Sequence, residues 1–285
     1  MQQQTIAKAA SRAGIGLHSG ERVSLTIRPA APGQGVRFVR SDVRDRDNAI
    51  PASALAVSTA MLGTNLTNGA GVSVATVEHF LAACAGLGVD NLIAEMDGQE
   101  MPILDGTSAP FVSMLEEAGL AAQQTPKRVL KILKVVEVRD GVKFARLSPG
   151  EGFSIFATID FPSKAIGRQE FRFDMTPGAF AREIGWARTF GFVHELQKLR
   201  SMGKALGGSL ENAVGVDGDA ILNPEGLKAP DEFVRHKVLD VVGDLFLAGG
   251  PIEGRYEGEQ PGHALNNRLL RAVFADTEAF RWMEG

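Results

Sequence analysis

The chain of 285 residues carries 30 Lys and Arg against 34 Asp and Glu, with five His and a single Cys, for a formal charge of −4. One Cys excludes a disulfide framework and a Cys-rich zinc module, and the mild acidity argues against nucleic-acid binding, which depends on clustered Lys and Arg. No stretch is apolar enough to predict a transmembrane segment, and the N-terminus lacks the pattern of a signal peptide. The length predicts about two domains.

The first half of the chain begins with a strand pattern. Residues 22–27 and 35–40 alternate between polar and apolar side chains, which predicts an antiparallel sheet. A helix is predicted from Ser73, a suitable N-cap, to the glycines at 86 and 88, followed by a strand at 91–96. A second helix is predicted at 109–118, because Thr107 or Ser108 can cap it and a glycine follows it.

The second half repeats this order. The pattern weakens near residue 125 and resumes with strands within 129–138, 141–161 and 169–173, followed by helices at 231–248 and 263–275. We therefore predict an α+β fold of two similar domains, residues 1–125 and 126–285, each a sheet layered with helices. The main helix of each half carries a histidine, His79 or His236, so facing helical layers would place both at the domain interface.

The strongest local pattern lies in the predicted helix at 231–248. His236, Asp240 and Asp244 are spaced four residues apart, so they share one helix face, while the other faces are apolar. A His and Asp on one face suit a divalent metal ion. The alternative is a solvated polar stripe with a helix salt bridge.

A second pattern is the adjacent pair Glu78 and His79. Neighbouring helical residues point about 100° apart, so one can bind a metal while the other flanks it, although as a lone pair they also suit an exposed surface. His79, His236 and Asp240 together would leave a fourth position for water, as in hydrolytic zinc sites. Zn²⁺ is the leading candidate, and Fe²⁺ can use the same ligands. Glu78 is then a candidate general base.

A candidate general acid follows a glycine-rich loop at the start of the last predicted helix. His263 could protonate a leaving amine, and Asp244 could orient it and keep it protonated. The alternative for His263 is an ordinary capping or surface role. Cys84 lies between alanines in an apolar helix and is predicted to be a core residue rather than a nucleophile.

Six motifs spread over the chain together resemble the family of UDP-3-O-acyl-N-acetylglucosamine deacetylases. They are Gly14-Ile15-Gly16-Leu17-His18-Ser19-Gly20, Thr76-Val77-Glu78-His79, Pro102-Ile103-Leu104-Asp105-Gly106, Arg188-Thr189-Phe190-Gly191-Phe192, His236-Lys237-Val238-Leu239-Asp240 and Gly262-His263-Ala264-Leu265-Asn266-Asn267. The resemblance implies two α+β domains with their helices sandwiched between the sheets. It also implies a cytoplasmic, zinc-dependent hydrolase that removes the N-acetyl group of an acylated UDP-sugar, which is the committed step of lipid A biosynthesis.

The resemblance assigns roles to individual positions. It implies that His79, His236 and Asp240 bind Zn²⁺ and that Glu78 is the general base. Thr189 would stabilise the oxyanion, and His263, held by Asp244, would protonate the departing amine. The remaining implied positions contact the substrate: Lys237, Phe190, His18, Met61, Leu62, Val193, Leu196 and Ser209.

The apolar residues between 193 and 209 allow two interpretations. The resemblance implies a passage for the acyl chain, whereas the residues by themselves predict an amphipathic helix whose apolar side chains enter the core. Gly63 also differs from relatives, which often have Cys there, and Gln260-Pro261 replaces a basic residue and Ser. We expect a monomer that binds an acylated UDP-sugar and no nucleic acid. The alternatives are a zinc hydrolase of another amide and a non-catalytic, metal-stabilised protein that binds nucleotide sugars or lipids.

Overall fold

The computed structural model describes all of residues 1–285 and contains six α-helices. The helices are α1 Glu78–Leu87, α2 Ala109–Ala118, α3 Ala179–Glu183, α4 Val193–Ser201, α5 Glu232–Phe246 and α6 His263–Ala275. None of them combines the length and the apolar character needed to span a membrane. The structure confirms the long predicted helices near their expected positions, except that the first helix begins later than predicted.

The strands divide between the two halves of the chain. Those of the first half are β1 Gln2–Ile6, β2 Ala10–Ile15, β3 Arg22–Pro29, β4 Val36–Arg40, β5 Ala49–Pro51, β6 Val57–Thr59, β7 Asn65–Thr67, β8 Ser73–Val74, β9 Leu92–Met96 and β10 Leu120–Pro126. Those of the second half are β11 Arg128–Ile132, β12 Val136–Asp140, β13 Lys143–Ser148, β14 Phe153–Asp160, β15 Arg168–Asp174, β16 Phe190–Phe192, β17 Val214–Asp217, β18 Ala220–Ile221, β19 Ile252–Glu259 and β20 Phe280–Glu284.

The main sheet of the first half is mixed rather than purely antiparallel. Its strand order is β2-β3-β9-β4-β5, and β9 pairs antiparallel with β3 but parallel with β4. β4 pairs antiparallel with β5, so the prediction of an antiparallel sheet was wrong only for the pairing of β4 with β9. The distant strand β9 lies between β3 and β4, which are consecutive in sequence. Smaller sheets are formed by β1 with β10 and by β6, β7 and β8.

The main sheet of the second half has seven strands. Five follow the order β12-β13-β19-β11-β20. The other two are β14, which pairs with residues 254–259 of β19, and β15, which pairs with β14. A separate three-stranded sheet joins β16, β17 and β18. The predicted domain boundary after residue 125 falls one residue before the end of β10, and the division into 1–125 and 126–285 stays a prediction.

The helices of the two halves pack on each other. Helix α1 packs on α2 and α5, and α5 packs on α6 and on strands β14 and β15. Buried apolar side chains from both halves form one continuous cluster, in which Phe38, Phe80 and Phe111 meet edge to face. Burial of this apolar area is the main force that holds the two halves together. The predicted α+β class is confirmed.

The first helix begins four residues later than predicted, with Val77 instead of Ser73 at the N-cap position. Ser73 does not cap it, because Ser73 and Val74 form strand β8, which pairs with β7. Thr76 then adopts a positive φ of 59°, a conformation that no helical residue can have. Helix α1 therefore starts at Glu78, and it ends as predicted at Gly88, whose φ of 70° forms a left-handed cap.

Candidate active site

The close crossing of α1 and α5 sets the geometry of the site. A Cβ atom at Gly243 would lie 2.1 Å from the backbone oxygen of Glu78, so only glycine lets the two helices approach this closely. Glu78 and His79 are the first two residues of α1, and this contact brings them against the polar face of α5. Residues far apart in sequence thus meet where the two halves join.

All three predicted metal ligands are brought together at this crossing. The ligand atoms of His79, His236 and Asp240 all lie within 4.8 Å of one another, and all three residues are buried. Oδ1 of Asp240 lies 3.4 Å from Nε2 of His236 and 3.8 Å from Nε2 of His79. Nδ1 of His236 lies 3.1 Å from the carbonyl oxygen of Ala187, to which it donates, so Nε2 is free to face the cluster.

The protonation states of this cluster suit a metal ion. Burial and the neighbouring His236 lower the pKa of His79 to about 3, and burial also lowers the pKa of His236, so both rings are neutral at pH 7. Burial by itself would raise the pKa of Asp240, but Lys237, whose Nζ lies 2.7 Å from Oδ2, holds it well below its usual range. Neutral imidazoles and an ionised carboxylate are the forms that bind metals.

The donor set adds to this fit. Nε2 of His79 and Nε2 of His236 both lie close to Oδ1 of Asp240, so three potential ligand atoms converge on one point. Two imidazoles and one carboxylate suit Zn²⁺ and also Fe²⁺. The cluster is therefore a candidate metal site, and the alternative of a solvated polar stripe is wrong, because these side chains are buried.

A carboxylate and an imidazole face each other beside the metal ligands. Oε1 of Glu78 lies 3.9 Å from Nε2 of His263. Burial raises the pKa of Glu78 to about 7, and its other oxygen, Oε2, accepts a hydrogen bond of 2.9 Å from the backbone N–H of Thr64. Glu78 can therefore take up a proton near neutral pH, as a general base must.

Asp244 holds His263, which faces Glu78, through a hydrogen bond. Nδ1 of His263 donates to Oδ2 of Asp244 at 2.9 Å. Burial by itself would lower the pKa of His263, but the carboxylates of Asp244 and Glu78 outweigh it and raise the pKa to about 10. His263 is therefore protonated at neutral pH and can act as a proton donor, and the alternative of an ordinary surface histidine does not fit these contacts.

The segment before β16 completes the wall of the site. The backbone N–H of Thr189 donates to the carbonyl oxygen of Gly106 at 2.9 Å, which ties this segment to the first half of the chain. Buried Arg188 donates from Nε to Oε1 of Glu232 at 2.9 Å and so attaches the segment to the start of α5. The Phe190 ring packs edge to face near His236, and Nζ of Lys237 lies 5.6 Å from its centre.

An open cavity of about 400 Å³ contains most of the predicted site residues. Those that line it are Leu62, Glu78, His79, Thr189, Phe190, His236, Lys237, Asp240 and His263. Asp244 is buried behind His263 rather than exposed in the cavity. The structure thus brings the predicted metal ligands and the candidate acid and base to one cavity at the junction of the two halves.

The remaining predicted residues lie outside that cavity. His18 and Met61 line a neighbouring cavity of about 530 Å³, and Nε2 of His18 contacts the carbonyl oxygen of Leu62 at 3.1 Å. Val193, Leu196 and Ser209 line neither of these cavities.

No residue of α4 is buried, and Met202 and Leu206 beyond it are more than half exposed. Helix α4 contacts β16 and β17, but Val193, Leu196 and Leu199 are only half-buried there. The interpretation that the apolar side chains of this helix enter the core was therefore wrong.

Several polar residues of the site escaped the sequence patterns. Asp140 and Lys143 line the cavity from a hairpin of the second half. Thr64 and Asn266 donate to Asp244. Thr64 follows Gly63 directly, and Asn266 lies in the motif that was singled out for His263. No spacing rule could have identified them, because their partners lie on other elements of the fold.

A family model and three relatives that match the chain agree in their description. The family model described as "LpxC: UDP-3-O-acyl N-acetylglycosamine deacetylase" matches residues 3–275. A UDP-3-O-acyl-N-acetylglucosamine deacetylase from Phenylobacterium zucineum is 52% identical, covering 99% of this chain and 96% of its own. A relative of the same name from Myxococcus xanthus is 51% identical, over 98% of this chain and 88% of its own. Another from Neisseria meningitidis is 44% identical, over 100% of this chain and 94% of its own. The chain belongs to the UDP-3-O-acyl-N-acetylglucosamine deacetylase family.

Proposed function

We propose that this protein hydrolyses the N-acetyl group of a UDP-3-O-acyl-N-acetylglucosamine and releases acetate, as the committed step of lipid A biosynthesis in the cytoplasm. The observation that carries the proposal is the facing pair of Glu78 and His263, 3.9 Å apart beside a buried cluster of three metal-ligating side chains. Amide hydrolysis needs a base for the attacking water and an acid for the departing amine, and this pair provides both.

His79, His236 and Asp240 would hold the metal ion, which we propose to be Zn²⁺, with Fe²⁺ as the alternative. When bound, such an ion supplies Lewis acidity that polarises the acetamide carbonyl and favours ionisation of water. Lys237 binds the second oxygen of Asp240 at 2.7 Å, which leaves Oδ1 directed toward the two imidazoles.

The protein's own groups divide the proton transfers between them. Glu78 accepts a proton from the attacking water, because its carboxylate is buried and its pKa is raised to about 7. His263 then donates a proton from Nε2 to the amine, while Asp244 fixes its Nδ1. The hydroxyl of Thr189, at the cavity wall, would donate to the oxyanion of the tetrahedral intermediate.

The same cavity offers groups suited to the rest of the substrate. Lys143 and Lys237 line it and offer ammonium groups to an anionic diphosphate, although the whole chain carries a charge of −4. Phe190 offers an apolar face to the sugar. The acyl chain would run along the exposed side chains of Met61 and Leu62 and the half-buried side chains of Val193 and Leu196 on α4. His18 and Ser209 would also contact the substrate.

The test is an acetate-release assay on UDP-3-O-acyl-N-acetylglucosamines of graded acyl length, with and without a chelator. We expect release that the chelator abolishes and that added Zn²⁺ or Fe²⁺ restores, and the more effective ion identifies the preferred metal. Free UDP should compete with the substrate. Release of acetate that free UDP does not inhibit would instead favour a hydrolase of another amide.

Binding without acetate release at any acyl length would contradict the proposal in favour of a non-catalytic protein. A parallel measurement of mass by light scattering tests the expected monomer.

A further inference from the structure

We propose that Thr64 is a positioning residue that couples the general base to the support of the general acid. The inference rests on the proposed function, and it concerns a residue that lies outside the metal ligands and does not touch the reacting atoms. Thr64 precedes β7 in the first half of the chain and is only 2% exposed. Its backbone N–H and its hydroxyl donate hydrogen bonds to two different residues of the proposed proton-transfer mechanism.

The contacts of Thr64 join the two halves of the protein. Its backbone N–H donates to Oε2 of Glu78 at 2.9 Å, and its hydroxyl donates to Oδ1 of Asp244 at 2.6 Å. With Oε2 held in this way, Oε1 of Glu78 is the oxygen that faces His263. A shift of Thr64 would therefore move the base and the support of the acid together.

Asp244 depends on this hydroxyl for its own orientation. Asp244 also accepts 2.8 Å and 2.9 Å hydrogen bonds at Oδ2, from Nδ2 of Asn266 and Nδ1 of His263 respectively. The hydroxyl of buried Tyr256 donates to Oδ1 of Asn266 at 2.7 Å and fixes that amide. Nδ1 of His263 also lies 3.2 Å from Oδ1, and Thr64 is the hydrogen-bond donor to Asp244 that comes from the first half of the chain.

This arrangement also fixes which nitrogen of His263 faces the substrate. Because both oxygens of Asp244 are acceptors for fixed donors, Asp244 meets His263 only as an acceptor at Nδ1, which directs the Nε2 proton into the cavity. Loss of the Thr64 hydroxyl would let the carboxylate rotate and misalign His263. Misplacement of this kind slows chemistry without weakening substrate binding.

The test compares variants at position 64 in the full-length, metal-loaded protein. Thr64→Val keeps the shape and the backbone N–H but removes the hydroxyl, and we expect kcat to fall about 10- to 100-fold with KM changed less than about twofold. Thr64→Ser restores the hydroxyl and should retain kcat within about threefold. Thr67→Val is the matched control, because it removes a hydroxyl that bonds only to Ser58 on the neighbouring strand β6.

A double-mutant cycle separates positioning from general damage. If Thr64 acts through Asp244, Thr64→Val should cause little further loss of kcat when Asp244→Asn is already present. Metal content should be the same in all variants, since none of them changes a ligand. Independent, multiplicative losses in the two variants would contradict the proposed coupling, as would a Thr64→Ser variant that is as slow as Thr64→Val.

Two further outcomes keep the inference distinct from the proposed function. If Thr64→Val does not fold, Thr64→Ser and Thr64→Ala differ only in the hydroxyl and give the same comparison, with Ala expected to be the slower. A Thr64→Val protein with kcat within threefold of the wild type would overturn the role of Thr64 while leaving the deacetylase proposal intact. A wild type that releases no acetate would overturn the proposed function itself.

Discussion

The junction of α1 with α5 and the α4 segment both supply predicted site residues, but they are built in opposite ways. At the junction, Glu78, His79 and Asp240 are almost fully buried, and hydrogen bonds or close packing fix their neighbours. No residue of α4 is buried, and apolar side chains beyond it face solvent. The fold therefore holds the candidate metal ligands and the candidate base rigidly, whereas the proposed acyl-chain contacts remain accessible to a ligand.

The largest expected effect comes from removing the base at the junction. Glu78→Gln keeps the shape of the side chain but cannot accept the proton of the attacking water, so kcat should fall about 10²- to 10⁴-fold. Metal content, measured by atomic absorption, should remain that of the wild type, because Glu78 is not one of the three ligands. A Glu78→Gln protein that still releases acetate at the wild-type rate would remove Glu78 from the mechanism.

The buried ion pair that anchors the wall of the site should have the next largest effect. Arg188 and Glu232 are both buried, and Glu232→Gln should lower the free energy of unfolding by about 3 kcal/mol at pH 7. Burial by itself would raise the pKa of Glu232, but hydrogen bonds from Arg188 and from the backbone N–H of Lys228 lower it below its ordinary value of 4.5.

The sign of the pH dependence follows from that lowered pKa. The stabilisation is complete above the unfolded value near 4.5 and is lost as the pH falls through the lower folded pKa. The difference between Glu232→Gln and wild type in urea unfolding should therefore shrink below about pH 5. Glu183→Gln, which removes a more exposed pair with Arg182, is the matched control, and an equal loss in that variant would contradict the special status of Glu232.

A smaller loss is expected where the two helices cross. The Cβ of Gly243→Ala would lie 2.1 Å from the backbone oxygen of Glu78, so α1 must shift, at a cost of about 2 kcal/mol in the free energy of unfolding. Thermal unfolding measures this loss, and metal affinity should fall with it. Gly69→Ala, where a Cβ meets nothing within 4 Å, should be close to neutral. Equal stabilities of the two variants would show that the crossing is not tightly packed.

The smallest effect on stability is expected in α4. Leu196→Ala removes a partly exposed side chain and should change the free energy of unfolding by less than about 0.5 kcal/mol. If α4 contacts the acyl chain, KM should nevertheless rise severalfold for the longest acyl substrates and hardly at all for the shortest. Lys198→Ala, a more exposed change on the same helix, is the control. A KM that is equally affected at every chain length would argue against an acyl-chain contact at Leu196.

Local patterns predicted the fold class and several elements, but not the order of the strands. Alternation identified β3 and β4, yet β9 lies between them and runs parallel to β4. The capping pattern at Ser73 was misleading, because pairing of β8 with β7 and the positive φ of Thr76 override it. Strand pairing across long loops leaves no local periodicity in the sequence.

Local sequence patterns likewise predicted only part of the candidate site. The sequence, through its spacing and its family resemblance, indicated Asp244 and His263, and the two side chains are in contact, with Asp244 buried behind His263. It did not indicate that Thr64 and Asn266 would hold Asp244, because their hydroxyl and amide groups meet it across separations of 180 and 22 residues. Polar residues of this kind are recognisable only through their partners.

The sequence by itself determined which side chains share a helix face. The spacing of His236, Asp240 and Asp244 places them on one side of α5, because the helical period is set by backbone hydrogen bonding. Only the tertiary structure decided that His79 meets them and that Glu78 faces His263, since Gly243 lets α1 approach α5 so closely. Packing of distant segments is fixed by the shapes of whole surfaces, and no short stretch of sequence encodes it.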